Sequence, residues 1–181
     1  MLFRSRERRH GAKRADMLVI TKCPDNLKIE EQSGLENRLK PYLKENTPIL
    51  FTKILYGKPI NCRSGLMDFD ISRKTLLVSG IAKSELFEAY CQKNFNIFNH
   101  LIYKDHYQYN ETDLTSIHIQ KQQAMTDLCV LMTEKDMVKF KPLLGHELLK
   151  GSPLFYLPIE VGFLDGSLIF DTVTRTALSV V

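Results

Sequence analysis

Residues 75–80 read Thr-Leu-Leu-Val-Ser-Gly, a run in which the apolar residues do not alternate with polar ones. Such a run is typical of a strand that is buried on both faces of a parallel sheet. Gly80 ends the run, and a helical pattern follows from about Ser84 to Lys93. The stretch therefore predicts a strand-to-helix unit of an α/β domain, with a tight turn at the glycine.

The same unit recurs along the rest of the chain. Other predicted strands are Met17–Ile20, Pro48–Tyr56, Phe98–Tyr103, Asp127–Met132 and Phe155–Phe163. Predicted helices cover 28–40, 110–123, a short segment from Thr133, and 167–178. Strands that alternate with helices indicate the α/β class and a mostly parallel, doubly wound sheet.

A change in composition suggests how the domains are arranged. Residues 58–73 are rich in Asn, Gly, Ser, Arg and Asp, which is typical of a linker. We therefore expect a first part, 1–57, with a basic segment, two strands and a helix. The second part, 74–181, is expected to be a C-terminal α/β lobe.

The charge of the chain argues against a nucleic-acid-binding surface. The formal net charge is +4, but the excess of basic over acidic residues lies within the first 14 positions and the remainder is nearly neutral. Nucleic-acid binding requires basic residues arrayed over a folded face. We expect no nucleic-acid partner.

The cysteines and the apolar segments indicate a cytosolic protein. The 4 cysteines are far apart and form no Cys-x-x-Cys pair, so we expect reduced thiols instead of disulfides or a zinc site. The first residues lack the apolar stretch of a secretory signal. No window approaches the ~20 apolar residues that span a bilayer.

The carboxyl ends of parallel strands are where ligands bind in such sheets, and three polar segments are expected there. One of them contains Asp105 and His106. A histidine beside a carboxylate suits proton transfer, because the carboxylate can fix its tautomer or stabilise its charged form. The alternative is a loop histidine that only hydrogen-bonds the backbone. The other two segments are Gly80–Lys83 and Thr133–Lys135, for which structural turns and caps are the favoured interpretation, although Lys135 could meet a phosphate.

Two further sets of basic residues are weaker candidates. Lys22 follows the first predicted strand and could lay its alkyl stem along a purine ring, although a solvated lysine at the end of the strand is the favoured interpretation. Arg6 and Arg8 could contact a phosphorylated sugar or anionic lipid headgroups. A frayed and solvated terminus is the alternative for these arginines.

One motif is missing from the sequence. The phosphate-binding pattern G-x-x-x-x-G-K-[ST] does not occur; around Lys58 both the upstream glycine and the following hydroxyl residue are absent. Without this loop the sequence offers neither a cradle for the β and γ phosphates nor a hydroxyl ligand for Mg²⁺.

Four segments in this order resemble the tetraacyldisaccharide 4'-kinase family. They are Leu77-Val-Ser-Gly-Ile-Ala82, Lys104-Asp-His-Tyr107, Leu131-Met-Thr-Glu-Lys-Asp-Met-Val-Lys139 and Phe155-Tyr-Leu-Pro-Ile-Glu160. Upstream, Arg6-Glu-Arg8 and Lys13-Arg-Ala-Asp16 look like the stretch before the last strand of the kinase core. Thr21-Lys-Cys-Pro24 looks like the Bacteroidetes branch. The resemblance covers nearly the whole chain but only the second half of the family's length.

The resemblance implies the C-terminal portion of a two-lobed, P-loop kinase-like fold. It also implies ATP- and Mg²⁺-dependent phosphorylation of the 4' hydroxyl of an acylated glucosamine disaccharide, at the cytoplasmic face of the inner membrane. In the family, the histidine of the Asp-His motif pairs with an aspartate of the P-loop domain and helps to activate the sugar hydroxyl. That role would fall to His106, with Asp105 as its orienting neighbour.

The family's P-loop, Mg²⁺ ligands and membrane-associating segment would all precede Met1. We therefore expect the chain to be a fragment that binds neither ATP nor Mg²⁺ and has no kinase activity alone. Its expected partners are the acylated disaccharide lipid and an anionic membrane surface. The alternative is a non-catalytic binding module that keeps a surface for the lipid disaccharide or for a partner.

Overall fold

The computed structural model describes residues 9–125, 127–164 and 167–178. They form eight strands and five α-helices. The strands are β1 (Leu18–Ile20), β2 (Ile49–Tyr56), β3 (Ile60–Asn61), β4 (Thr75–Ser79), β5 (Ile97–Ile102), β6 (Cys129–Thr133), β7 (Leu154–Leu157) and β8 (Ile159–Phe163). The helices are α1 (Ile29–Leu39), α2 (Ser84–Asn94), α3 (Glu111–Ala124), α4 (Glu134–Phe140) and α5 (Ser167–Leu178).

The chain divides into two compact units that differ from the sequence-based division. One unit comprises residues 56–159, and the other comprises the chain up to residue 55 together with the chain from residue 160. The sequence analysis instead placed a linker at 58–73 and assigned 74–181 to one lobe. The difference arises because β8 joins the sheet that contains β1 and β2.

The unit of residues 56–159 is built on a five-stranded sheet in the order β3-β7-β6-β4-β5. Strand β4 pairs in parallel with both β5 and β6, and β6 pairs in parallel with β7. Only β3, at the edge, is antiparallel to its neighbour. The α/β class and the mostly parallel sheet predicted from the apolar runs are therefore confirmed.

Helices cover this sheet on both faces, which explains why the central strands do not alternate. Every residue of β4 and of β6 is buried. On one face Leu76 and Val130 pack with Leu114 and Ile117 of α3. On the other face Leu77 and Leu131 pack with Phe87 and Cys91 of α2.

The order of the strands locates the crevice of the sheet. From β4 the chain passes through α2 to β5 on one side, and from β5 it returns through α3 to β6 on the other side of β4. The connection that leaves β4 leads to α2 on one face of the sheet, and the connection that leaves β6 leads to α4 on the other face. Ligands of such sheets bind outside the carboxyl ends of the strands at this point of reversal.

The prediction of one strand over Phe155–Phe163 is wrong. Pro158 separates β7 from β8, which belong to different sheets. Proline has no N–H to donate to a sheet ladder, so it ends the pairing that β7 makes. Its carbonyl still accepts a hydrogen bond of 2.9 Å from the Gly57 N–H.

Residues 58–73 are not a plain linker, because they contain the edge strand β3 and belong to the unit of residues 56–159, although most of the segment is exposed. The Asn61 side chain accepts hydrogen bonds from the N–H groups of Arg63 and Ser64. Farther along, the Phe69 ring lies edge-on to the rings of Phe95 and Phe155, with centroids 5.1 and 5.0 Å away. An aromatic anchor of this kind fixes the loop to the unit.

The second unit contains the sheet β1-β2-β8, in which β1 and β2 are parallel. Buried Cys23 follows β1 and donates its N–H to the Thr52 carbonyl at 2.9 Å. Helices α1 and α5 lie where the sequence predicted them. All 4 cysteines lie in the described part of the chain, and each is a thiol that forms no disulfide there. In the described part of the chain, every helix is too short or too polar to cross a bilayer.

Candidate functional site

Asp105 and His106 lie in the loop between β5 and α3, at the carboxyl edge of the five-stranded sheet. The imidazole is open to solvent, with 78% of the side chain exposed. The backbone of His106 has φ of +62°, in the left-handed region. A residue other than glycine keeps this conformation at a cost of roughly 1–2 kcal/mol, so the surrounding loop must impose it.

Three side chains come together around the Asp105 carboxylate. The Oδ1 atom accepts a hydrogen bond of 3.0 Å from the His106 N–H, and the Lys135 ammonium lies 2.9 Å from the same oxygen. The Oδ2 atom lies 3.5 Å from Nε2 of the imidazole. The hydrogen bond from Lys135 is the main reason that the pKa of Asp105 is lowered, so the carboxylate is ionised at neutral pH.

Aromatic packing holds the loop that carries the imidazole. Tyr107 stacks on Tyr103 with 4.6 Å between ring centroids, and Tyr109 meets both rings edge-on. The Tyr107 hydroxyl donates to Oδ1 of buried Asp113 at 3.2 Å. Burial raises the pKa of Tyr103 and of Tyr109, so their hydroxyls remain neutral.

The start of α3 fixes the other end of this loop. The Asn110 side chain accepts from the Thr112 N–H at 2.9 Å, and Asp113 accepts from the Asn110 N–H at 2.8 Å. This reciprocal arrangement is the capping box that the sequence predicted. The loop is therefore tied at both ends, which explains how it can hold His106 in a left-handed conformation.

The segment Thr133–Asp136, at the end of β6, connects the ends of the other parallel strands. Glu134 accepts a hydrogen bond of 3.1 Å from the Ile159 N–H, beyond β7. Lys135 reaches Asp105, beyond β5. Asp136 accepts a hydrogen bond of 2.9 Å from the Gly80 N–H, which lies just beyond β4. Three successive side chains thus each bind a different strand-end loop.

Asp136 is the buried centre of this arrangement. Its side chain is 0% exposed, and its Oδ2 also accepts from the Thr133 hydroxyl at 2.6 Å. The Lys139 ammonium lies 3.7 Å from Oδ1. Gly80 is closely packed here, because an added Cβ would lie only 3.1 Å from both Asp136 Oδ1 and the Tyr109 hydroxyl, and these neighbours would have to shift.

A second polar cluster, which the sequence did not predict, lies between α2 and the strands β4 and β5. The Ser79 hydroxyl lies 2.8 Å from Nε2 of His100, and Nδ1 of that ring lies 3.3 Å from a carboxylate oxygen of Glu88. The order of groups is that of a serine hydrolase triad, but Ser79 is 0% exposed and cannot reach a substrate. The cluster instead ties α2 to β4 and β5.

The remaining candidates lie in other parts of the chain. Lys22 is exposed just beyond β1, with φ of +60°, and belongs to the other compact unit. Arg6 and Arg8 lie outside the described residues. No group of three or more His, Cys, Asp or Glu side chains within the described ranges could hold a metal ion.

Together the parallel sheet and the Asp105–His106 pair at its carboxyl edge define an α/β protein with a candidate acid–base site. The family comparison is more specific. The chain belongs to the Tetraacyldisaccharide-1-P 4'-kinase (LpxK) family, whose model matches residues 4–177.

Relatives named "Tetraacyldisaccharide 4'-kinase" support this assignment. The protein of Flavobacterium psychrophilum is 33% identical over 92% of this chain and 46% of its own length. That of Flavobacterium johnsoniae is 37% identical over the same shares, 92% and 46%. That of Cytophaga hutchinsonii is 34% identical over 94% and 47%. The chain thus spans about half the length of the curated relatives it matches.

A solved structure is also similar to this chain. It is described as an "apo" form of LpxK from Aquifex aeolicus in complex with ATP, and it is 16% identical with a TM-score of 0.49. The similarity covers 88% of this chain and 52% of that one.

Proposed function

We propose that this chain supplies the C-terminal part of a tetraacyldisaccharide 4'-kinase, which phosphorylates the 4' hydroxyl of a tetraacylated glucosamine disaccharide 1-phosphate during lipid A synthesis. Membership of the family supports the reaction class. The observation that carries the role of this chain is the Asp105–His106 pair, which is open to solvent beyond the end of a parallel strand. Ligand binding concentrates at such edges.

His106 is the group that we assign to the sugar hydroxyl. As the hydroxyl oxygen forms its bond to the transferred phosphorus, its proton passes to the imidazole, and the bond from phosphorus to the departing ADP oxygen breaks. A positioned histidine is well suited to this transfer, which is typically worth 10²–10⁴-fold in rate. Asp105 orients the ring through the contact with Nε2.

ATP and Mg²⁺ belong to the proposed reaction, but the described residues contain no group of three or more His, Cys, Asp or Glu side chains that could hold the metal. The sequence likewise has no G-x-x-x-x-G-K-[ST] loop. We therefore assign the phosphate-binding loop and metal binding to sequence other than these 181 residues. Positioning and charge stabilisation provide most phosphoryl-transfer catalysis, so a polypeptide of these residues alone should show no turnover.

The location and partners follow from the same proposal. The lipid substrate would place the protein at the cytoplasmic face of the inner membrane, as a peripheral protein. Arg6 and Arg8 would contact anionic headgroups, where each basic residue contributes ~1 kcal/mol. Lys22 would lie along the purine of the nucleotide through its alkyl stem.

A complementation assay tests the proposal. The 181-residue chain is mixed or co-expressed with the N-terminal portion of the Flavobacterium johnsoniae relative, and transfer of labelled phosphate from ATP to the acylated disaccharide 1-phosphate is measured. We expect turnover for the mixture and none for either part. His106→Ala should lower the rate by about 10²-fold or more.

His118→Ala is the matched control, because it also removes an imidazole but at a position on α3. The hydrogen bond found for the His118 ring joins it to the Gln122 side chain, at 3.1 Å. This variant should keep the rate of the unaltered mixture. Equal rates for the His106 and His118 variants would contradict the proposal. A chain that binds the acylated disaccharide but never supports turnover would instead indicate the non-catalytic binding module.

A further inference from the structure

Lys135 is held in place by its neighbours in the sequence. The Thr133 hydroxyl accepts from the Asp136 N–H at 3.2 Å and so caps α4, which begins at Glu134. Asp136 is buried, and Glu134 is tied to the Ile159 N–H. The backbone at Lys135 is therefore fixed on both sides, while its own side chain projects from the sheet edge with 47% exposure.

The ammonium of Lys135 ends beside the Asp105 carboxylate, in a solvent-exposed contact. It lies 2.9 Å from Oδ1, the oxygen that also accepts the His106 N–H. The other oxygen of this carboxylate faces the imidazole at 3.5 Å. One carboxylate thus connects a lysine after β6 with a histidine after β5.

From this geometry we propose that Lys135 is a positioning residue for His106, acting through Asp105. The inference rests on the proposed function, because it assigns a role within the same site. Two fixed contacts on Oδ1 restrict rotation of the carboxylate, so Oδ2 is kept directed at the ring. The lysine also balances the carboxylate charge that the imidazole would otherwise face alone.

An alternative role for Lys135 is direct binding of a phosphate on the substrate. The contact with Asp105 argues against it, because the carboxylate already takes one of the three ammonium donors and offsets the lysine charge, which weakens attraction of a second anion. The two roles predict different kinetics. Loss of a positioning residue lowers kcat, whereas loss of a substrate contact raises KM.

The first test measures the carboxylate in the 181-residue chain by ¹³C NMR, without any need for activity. Lys135 is the main cause of the lowered pKa of Asp105, so Lys135→Met should raise that pKa toward its ordinary value. Lys135→Arg keeps a charged donor and should hold the pKa of Asp105 low. Lys104→Met removes one charge from the same loop, at an exposed residue adjacent to Asp105. This variant should leave the pKa of Asp105 nearly unchanged.

Each outcome of this measurement bears on the proposal. A rise in the pKa of Asp105 in Lys135→Met alone supports it. No change in that variant overturns it, and an equal rise in Lys104→Met overturns it too, because the effect would then be one of general charge. The result does not depend on turnover, so it stands even where the proposed kinase function fails.

The second test uses the complementation mixture. Lys135→Met should lower kcat on the order of tenfold or more with little change in KM, because small displacements of a catalytic group cost up to 10²-fold. Lys135→Arg should restore most of the rate. A raised KM at unchanged kcat would overturn the positioning role in favour of phosphate binding. Full activity of His106→Ala would instead refute the proposed function.

Discussion

Replacement of Asp136 by alanine tests whether the buried carboxylate holds the strand-end loops together. The change removes the acceptor of the hydrogen bond from the Gly80 N–H, which lies 56 residues earlier in the chain. It also removes the oxygen that accepts from the Thr133 hydroxyl. It also removes the anion 3.7 Å from the Lys139 ammonium, whose side chain is 14% exposed. All three losses occur in a place that water does not reach, since Asp136 is 0% exposed.

The size of the effect follows from these contacts. A buried donor left without an acceptor costs about 1–3 kcal/mol, and removal of one partner of a buried ion pair costs about 3–5 kcal/mol. These contributions overlap, because the Thr133 hydroxyl can rotate toward another acceptor and Lys139 can extend toward solvent. We therefore expect Asp136→Ala to lower the free energy of unfolding by about 3–5 kcal/mol. Asp136→Asn keeps one oxygen acceptor and should lose less.

Urea unfolding of the 181-residue chain measures this change. The chain has no tryptophan, so near-ultraviolet circular dichroism reports the tyrosines, and Tyr103, Tyr107 and Tyr109 stack together in the unit that contains Asp136. The matched control is Asp127→Asn, which removes an exposed contact with Arg73 and should cost at most about 1 kcal/mol. Equal stability of Asp136→Ala and the control would refute the reasoning.

Two further changes test the packing that supports the same unit. Phe140→Ala should cost about 3–5 kcal/mol in the same unfolding assay, because the ring is 0% exposed, whereas Val138→Ala, on a side chain 63% exposed, should stay within about 0.5 kcal/mol of the unaltered chain. Arg63→Met should cost about 2–4 kcal/mol, because the guanidinium donates to the carbonyls of Leu144, Leu149 and Ser152 at 2.7–3.1 Å. Arg63→Lys should recover only part of this loss, since an ammonium lacks the planar fork that serves several carbonyls at once; full recovery would contradict the interpretation.

The central strands were predictable because burial on both faces leaves a direct mark on the sequence. Thr75–Ser79 and Cys129–Thr133 lie between two helical layers, so neither face needs polar residues and the apolar run is continuous. The start of α3 was predictable for a local reason as well. Its cap involves residues only three positions apart, and such contacts are set by the sequence itself.

Other features depended on contacts that spacing does not reveal. The end of β7 at Pro158 could have been found, because proline rarely lies inside a ladder, yet the apolar residues around it suggested one continuous strand. The contact of Lys135 with Asp105 joins residues 30 positions apart. The capping pattern of Thr133–Asp136 explained two of its residues locally and gave no sign that the same segment binds three other loops.

The exposure of His106 has a chemical consequence for the proposed kinase. An imidazole that is 78% exposed is in contact with water, and its hydrogen bonds act in a medium of high dielectric. Catalysis of phosphoryl transfer requires that water be excluded from the reacting groups, since electrostatic stabilisation is far stronger in a dry site. The contacts around Asp105 and Lys135 can set the direction of the ring, but they leave it uncovered. In the proposed mechanism this chain orients the ring, whereas bound substrate and other kinase sequence exclude water. A covered site should therefore make the effect of Lys135→Met on the pKa of Asp105 larger than in the 181-residue chain alone.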